Sequence, residues 1–164
     1  MVSTTRHIEV NISQQTLTLY DGVNVIKTYP VCTARNGLGE QAGSEKTPRG
    51  KHVIRAKIGD GAPLGSVFVG RRFTGEVYTP ALATQFPHRD WILTRILWLS
   101  GLEVGKNRGG SVDTMRRYIY IHGAPDELMT TIPSSHGCIR MFNDDVVSLF
   151  NRIETATPIQ IIEE

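Results

Sequence analysis

Apolar residues return at every second position near the amino end, and a chain with that period must turn one face to a core and the other to water. Ile8, Val10 and Ile12 alternate with polar neighbours, and Leu17 and Leu19 resume the pattern after Ser13-Gln14-Gln15. Two half-buried strands joined by a short turn are predicted. Asp21-Gly22 marks the next turn, and residues 23–31 supply a third strand. Residues 35–46 carry Gly37, Gly39 and Gly43 among polar side chains and read as a mobile loop, after which residues 50–58 return as a strand anchored by Val53 and Ile54.

The middle of the chain reads differently. Residues 59–84 are rich in Gly and Pro and predict irregular strands and turns. Asp90 is a good N-cap, Ile92, Leu93, Ile96, Leu97 and Leu99 fall at helical spacing, and Gly101 stands where a C-cap belongs, so a helix is predicted over residues 90–101. Trp91 and Trp98 would share a face of it and read as core rather than as sugar-stacking residues. Gly105 to Ser111 would hinge the segment as a lid. Residues 117–122 form a strand with Ile119 and Ile121 on one side and Tyr118, Tyr120 and His122 on the other. Asn143 is read as the cap of a helix striped by Val146, Val147, Leu149, Phe150 and Ile153, and Pro158 leads into a last strand over residues 159–162. The residues alone predict one domain of mixed, mostly β structure across all 164 positions.

Chemistry concentrates after that strand. His122-Gly123 ends it, and Ser135-His136-Gly137-Cys138-Ile139-Arg140 follows, with Cys138 placed 138 − 122 = 16 residues beyond His122. A thiol attacks carbonyls poorly until an imidazole takes its proton or holds it as a thiolate, and His122 is the candidate base. Gly137 permits a tight turn whose amide, with that of Cys138, could face a developing oxyanion. Arg140 adds a positive charge that would favour a thiolate or hold a substrate carboxylate.

These residues resemble the signature of the YkuD-type L,D-transpeptidases, cysteine enzymes acting on the peptide stems of peptidoglycan. Tyr29-Pro30-Val31-Cys32-Thr33 followed by Thr47-Pro48-Arg49-Gly50 is similar to a second hallmark of the family, although Cys32 stands where Ser is common. Cys32 by itself reads as a buried structural thiol. The resemblance implies a mainly β fold, a β-sandwich with an inserted helical cap over residues 59–116 and a C-terminal helix. It implies that Cys138 attacks the carbonyl between a diamino acid and a terminal D-Ala, giving a thioester that an amine or water resolves. It further implies that the Gly123 carbonyl orients His122, and that His136 and Ser135 shape the loop or bind substrate.

Three other readings fit these residues less well. A sortase also uses His, Cys and Arg, but the Thr-Leu-x-Thr-Cys form is missing and Arg140 lies only two residues from Cys138. A noncovalent peptidoglycan-binding module needs no thiol. Zinc could use His122, His136 and Cys138, but no Cys-x-x-Cys or His-x-x-x-His supports it, so no metal or cofactor is expected. A net charge of +2 gives little drive toward nucleic acid, and the pairs Arg71-Arg72 and Arg116-Arg117 read as surface or substrate-carboxylate contacts. Two cysteines make no disulfide framework, and no apolar run approaches a membrane span. The polar-alternating start without an apolar leader points to a cytoplasmic enzyme on soluble muropeptides, with water as the acceptor, unless an export signal precedes this sequence.

Overall fold

The computed structural model describes residues 5–164, so the part of the leader reading that falls on Met1 to Thr4 lies outside the described residues. The predicted hairpin is present. Strands β1 (Arg6–Asn11), β2 (Thr16–Asp21) and β3 (Asn24–Pro30) pair antiparallel in succession, with Ile8 opposite Leu19 and Val10 opposite Leu17. β4 (Gly50–Ile58) follows, then β5 (Ser66–Val69) and β6 (Arg72–Val77) as a tight hairpin, and a single short helix α1 (Pro80–Gln85) capped by Thr79.

The residues read as a helix over 90–101 instead form β7 (Ile92–Gly101), the longest strand of the fold, and the helical content of the 59–116 segment falls to α1 and a 3-10 turn. The reason is local. Opposite β8 the register shifts between Leu93 and Ile96, and Thr94 takes φ +75°, the mark of a bulge. Thr94 and Arg95 are extra on β7, where the three-residue step from Leu93 to Ile96 faces the single step from Gly123 to His122, and that step imitates helical spacing. β7 also pairs with β4, β5 and β8, so it is buried on both faces and its apolar run is nearly continuous, as central strands require. Trp91 and Trp98 accordingly go to different clusters rather than one helix face, Trp91 with Val67 and Leu93, Trp98 against Phe68, Ile96 and Tyr120.

β8 (Tyr120–Gly123) and β9 (Ile139–Met141) are parallel, α2 (Asn143–Phe150) follows, and β10 (Pro158–Ile162) inserts between β1 and β4. The ten strands form one mixed hydrogen-bonded sheet in the order β3-β2-β1-β10-β4-β7-β5-β6, with β8 and β9 branching from β7. It bends around a shared core: Ile8, Val10, Leu17, Leu19, Ile159 and Ile161 meet Leu97, Leu99, Ile121, Ile139, Met141 and the Val146, Leu149 and Phe150 face of α2. The class is mainly β as expected, and the two-layer packing of a sandwich is reached by one continuous sheet.

Two further expectations are corrected. Residues 105–111 are tied down rather than free to act as a hinge. Asn107, fully buried, donates to the carbonyls of Arg49 and Lys51, and Asp113 accepts from Gly109, so the segment is tied to β4 and its approach. The loop over residues 35–46 is also anchored: Gly39 donates to the Thr47 carbonyl, Thr47 to that of Gly37, and Leu38 packs on the core.

Candidate active site

β8 and β9 run in parallel register with Ile121 opposite Ile139 and His122 opposite Arg140. Strand alternation then sorts the side chains by face. Ile119, Ile121, Ile139 and Met141 enter the core, while Tyr120, His122, Cys138 and Arg140 line a cleft of about 510 Å³ with Arg71, Asp90 and Arg117. Ser135 and His136 complete one wall; Ser135 is buried and His136 exposed. The candidate base and nucleophile therefore line the same cleft, with no register shift between β8 and β9.

His122 is buried, and its Nδ1 lies 2.6 Å from the Gly123 carbonyl. A carbonyl can only accept, so Nδ1 carries the proton and Nε2 is left as the basic nitrogen. Burial pushes the imidazole pKa down; the Gly123 carbonyl and Asp90 oppose that, and Arg140 adds to it. Cys138 is partly exposed, and its sulfur accepts from the Tyr120 amide over 3.3 Å and reaches the Tyr118 carbonyl at 3.5 Å. Burial against the Phe68, Ile96 and Tyr120 cluster pushes the thiol up to about 12, and Asp90 adds to this, outweighing the Tyr120 amide, Arg140 and Arg117. Both shifts favour a neutral thiol beside a neutral imidazole.

Gly123 cannot be another residue here, because a Cβ would come within 2.5 Å of Asn143 Oδ1 and 2.6 Å of the Leu93 carbonyl. Asn143 is the first residue of α2 rather than its cap, which is Phe142; its side chain instead accepts from Thr94 at the bulge and donates to the Ala124 carbonyl. It thereby ties β7 to the end of β8 beside His122. Gly137 has φ +131°, and a Cβ there would press on Ile119 and on the Lys46 carbonyl. Its amide donates to Ser135 Oγ over 3.2 Å, and Ser135 Oγ donates to the Cys138 carbonyl at 2.6 Å. Ser135 thus shapes the turn, and the Gly137 amide is already engaged, whereas the Cys138 amide has no acceptor among the described residues.

The second hallmark packs directly on the first. Cys32 and Arg140 exchange both backbone hydrogen bonds at 2.9 Å, the Ser134 and Ser135 amides donate to the Thr33 carbonyl, and Thr47 Oγ1 donates to the Gly137 carbonyl. Cys32 is fully buried with its sulfur against Ser134 Oγ and the Ile132 carbonyl, as a structural thiol should be.

A family model described as the L,D-transpeptidase catalytic domain matches residues 5–161. The chain belongs to this family. Solved structures share the fold: an L,D-transpeptidase from Mycobacterium smegmatis at 16% identity and TM-score 0.56, over 96% of this chain and 58% of that one; one from Xylanimonas cellulosilytica at 16% and 0.55, over 98% and 61%; and L,D-transpeptidase 1 of Mycobacterium tuberculosis at 20% and 0.52, over 96% and 61%. The chain spans about three-fifths of the length of these proteins. No curated protein matches it.

Within this L,D-transpeptidase domain, all the candidate site residues read from sequence meet around one loop and one strand end. Sequence reasoning missed two contributors and left two more undecided. The Tyr120 amide is a backbone group with no residue signature. Asp90, read as a helix cap, lines the cleft and lies 3.7 Å from Arg140. Arg71 and Arg117 also face the cleft, while Arg72 and Arg116, their neighbours in each pair, are exposed outside it.

Proposed function

We propose that Cys138 forms a thioester with the carbonyl donor of a peptidoglycan stem tetrapeptide, at the bond between the diamino acid and the terminal D-Ala. What carries this reading is the parallel β8–β9 register, which puts Tyr120, His122, Cys138 and Arg140 on one cleft-facing surface. With both groups neutral at rest, the thiol proton moves to His122 Nε2 as sulfur attacks, and the imidazolium shares its Nδ1 proton with the Gly123 carbonyl. The Cys138 amide is the donor left for the oxyanion. Collapse of the adduct breaks the carbon–nitrogen bond, and His122 returns the proton to the departing D-Ala nitrogen. His136 and Arg140 contact the peptide along the cleft wall.

Water is the acceptor we assign when donor peptide is present alone, since Cys138 is partly open to the cleft and water needs no binding surface of its own. His122 then takes a proton from the water, releasing tripeptide and restoring the thiol. An amine that occupies the cleft would be acylated by the same thioester, giving exchange or a cross-link. Incubation with a defined tetrapeptide, with mass spectrometry of protein and products, tests this. The expected result is an acyl adduct on Cys138 and tripeptide plus free D-Ala. Dimeric cross-linked product as the main species would reverse the choice of acceptor, and no adduct with no turnover would overturn the thioester.

A further inference from the structure

Arg71 occupies a position where its residue type is locally unfavourable. Gly70 and Arg71 are the two central residues of the turn between β5 and β6, with φ +56° and +64°. Such hairpin turns favour Gly, Asn and Asp, and a long side chain there is held against a backbone preference. The side chain is not loose. Its guanidinium lies 4.6 Å from the Trp98 ring centroid and 5.0 Å from that of Tyr118, and it donates to Tyr120 Oη at 3.0 Å.

Its charge is uncompensated. Among the described residues, the ion pairs are Arg49–Glu40, Arg89–Glu76, Lys106–Glu103 and Arg140–Asp90, and none includes Arg71. Of five N–H donors the protein takes one. The remainder are carried on a planar fork that borders the same cleft as Cys138, where Arg71, Arg117 and Arg140 stand against the one carboxylate of Asp90. Arg117 is held by the carbonyls of Lys46 and Gly39, and Arg140 by Ser134 Oγ and the nearby Asp90 carboxylate, whereas Arg71 has one hydrogen bond and no carboxylate partner. A planar fork with one edge stacked on aromatic rings and the other unused matches a carboxylate in bidentate geometry.

We propose that Arg71 is a specificity-determining residue that binds a carboxylate of the peptide substrate, so that acidic peptides are preferred over their amides. This rests on the thioester reading above. A stem peptide offers two sources for the carboxylate, the terminal α-carboxylate of the leaving residue and a side-chain carboxylate on the diamino acid. The Trp98 ring against Arg71 reports occupancy by its fluorescence, while Trp91 sits in a separate cluster and serves as constant background.

The test uses the Cys138→Ser protein for binding and the thiol protein for turnover, each with three tetrapeptides: the diacid, its C-terminal amide and its side-chain amide. Capping the carboxylate that Arg71 reads should weaken binding by about ten- to a hundredfold, the scale of a charge-assisted hydrogen bond, and the other amide should bind nearly like the diacid. Arg71→Gln should remove that difference and raise KM with kcat little changed. Arg71→Lys, which keeps the charge and stem but not the fork, should recover part of it. An acid-to-amide ratio unchanged in Arg71→Gln overturns the inference even where the Cys138 thioester forms. Arg71-dependent binding with no thioester in the thiol protein instead overturns the reaction and leaves the carboxylate site standing.

Discussion

Thr47 Oγ1 donates to the Gly137 carbonyl over 2.9 Å across 90 residues of sequence, and the same oxygen accepts from the Ala34 amide at 3.1 Å. One fully buried hydroxyl therefore joins both hallmark segments and holds the turn that presents Cys138.

Thr47→Val keeps the shape and deletes both bonds, leaving a buried carbonyl and a buried amide unsatisfied. A loss of about 1–3 kcal/mol in denaturant unfolding is expected. Turnover should fall further than stability, because the Gly137 turn is released. Wild-type kcat in a destabilised Thr47→Val protein would mean that the turn is held by Ser135 alone.

The two thiols should separate by substitution. Cys138→Ser is expected to fold normally and form no acyl adduct, since a hydroxyl is far harder for the same imidazole to activate. Cys32→Ser can still donate to the Ile132 carbonyl, so it should keep most activity. Equal inactivity of two folded variants would give Cys32 a part in the reaction.

The neutral resting pair sets the pH behaviour of the site. Cys138 is raised and His122 lowered, so the active form loses its base only as pH falls through the lowered imidazole pKa, below the ordinary histidine range. The rate of alkylation of Cys138 should keep rising with pH beyond the usual thiol midpoint of about 8.5. A plateau reached below neutrality would indicate a resting thiolate–imidazolium pair. His122→Ala should lower kcat by at least about a hundredfold.

Stability should also fall in mild acid, from a histidine remote from the thiol. His52 is fully buried, with Nδ1 on the Gly50 carbonyl and Nε2 accepting from Thr114 Oγ1 at 2.9 Å. Burial depresses its pKa from 6.5 to about 4. The unfolded chain then binds the proton first, so its contribution is intact above about pH 6.5 and is lost as pH falls toward about 4. His122 acts in the same direction. The shift at His52 corresponds to about 3 kcal/mol at 1.36 kcal/mol per pKa unit. Unfolding midpoints at pH 7 and pH 4.5 check the sign, and equal midpoints would contradict neutral burial of His52.

Sequence by itself determined the parts whose physics is local. The period-two alternation of Ile8 to Leu19 was enough for the first hairpin, and the order of His122, Ser135, Gly137 and Cys138 was enough to point to the family, because a histidine, a turn residue and a thiol are each legible as residue types. Local reading failed where tertiary pairing altered the period. β7 looked helical because the bulge at Thr94 inserts residues into a strand that is buried on both faces, and only the packing of the three clusters it enters reveals that burial. Likewise Arg71, Asp90 and Arg117 became cleft residues through long-range packing: a β-turn, the segment before β7 and the approach to β8 converge on one cavity. The raised Cys138 and lowered His122 pKa values belong to the tertiary structure too. A pKa follows from what surrounds a group, and here desolvation by residues distant in sequence outweighs the nearby charge of Arg140.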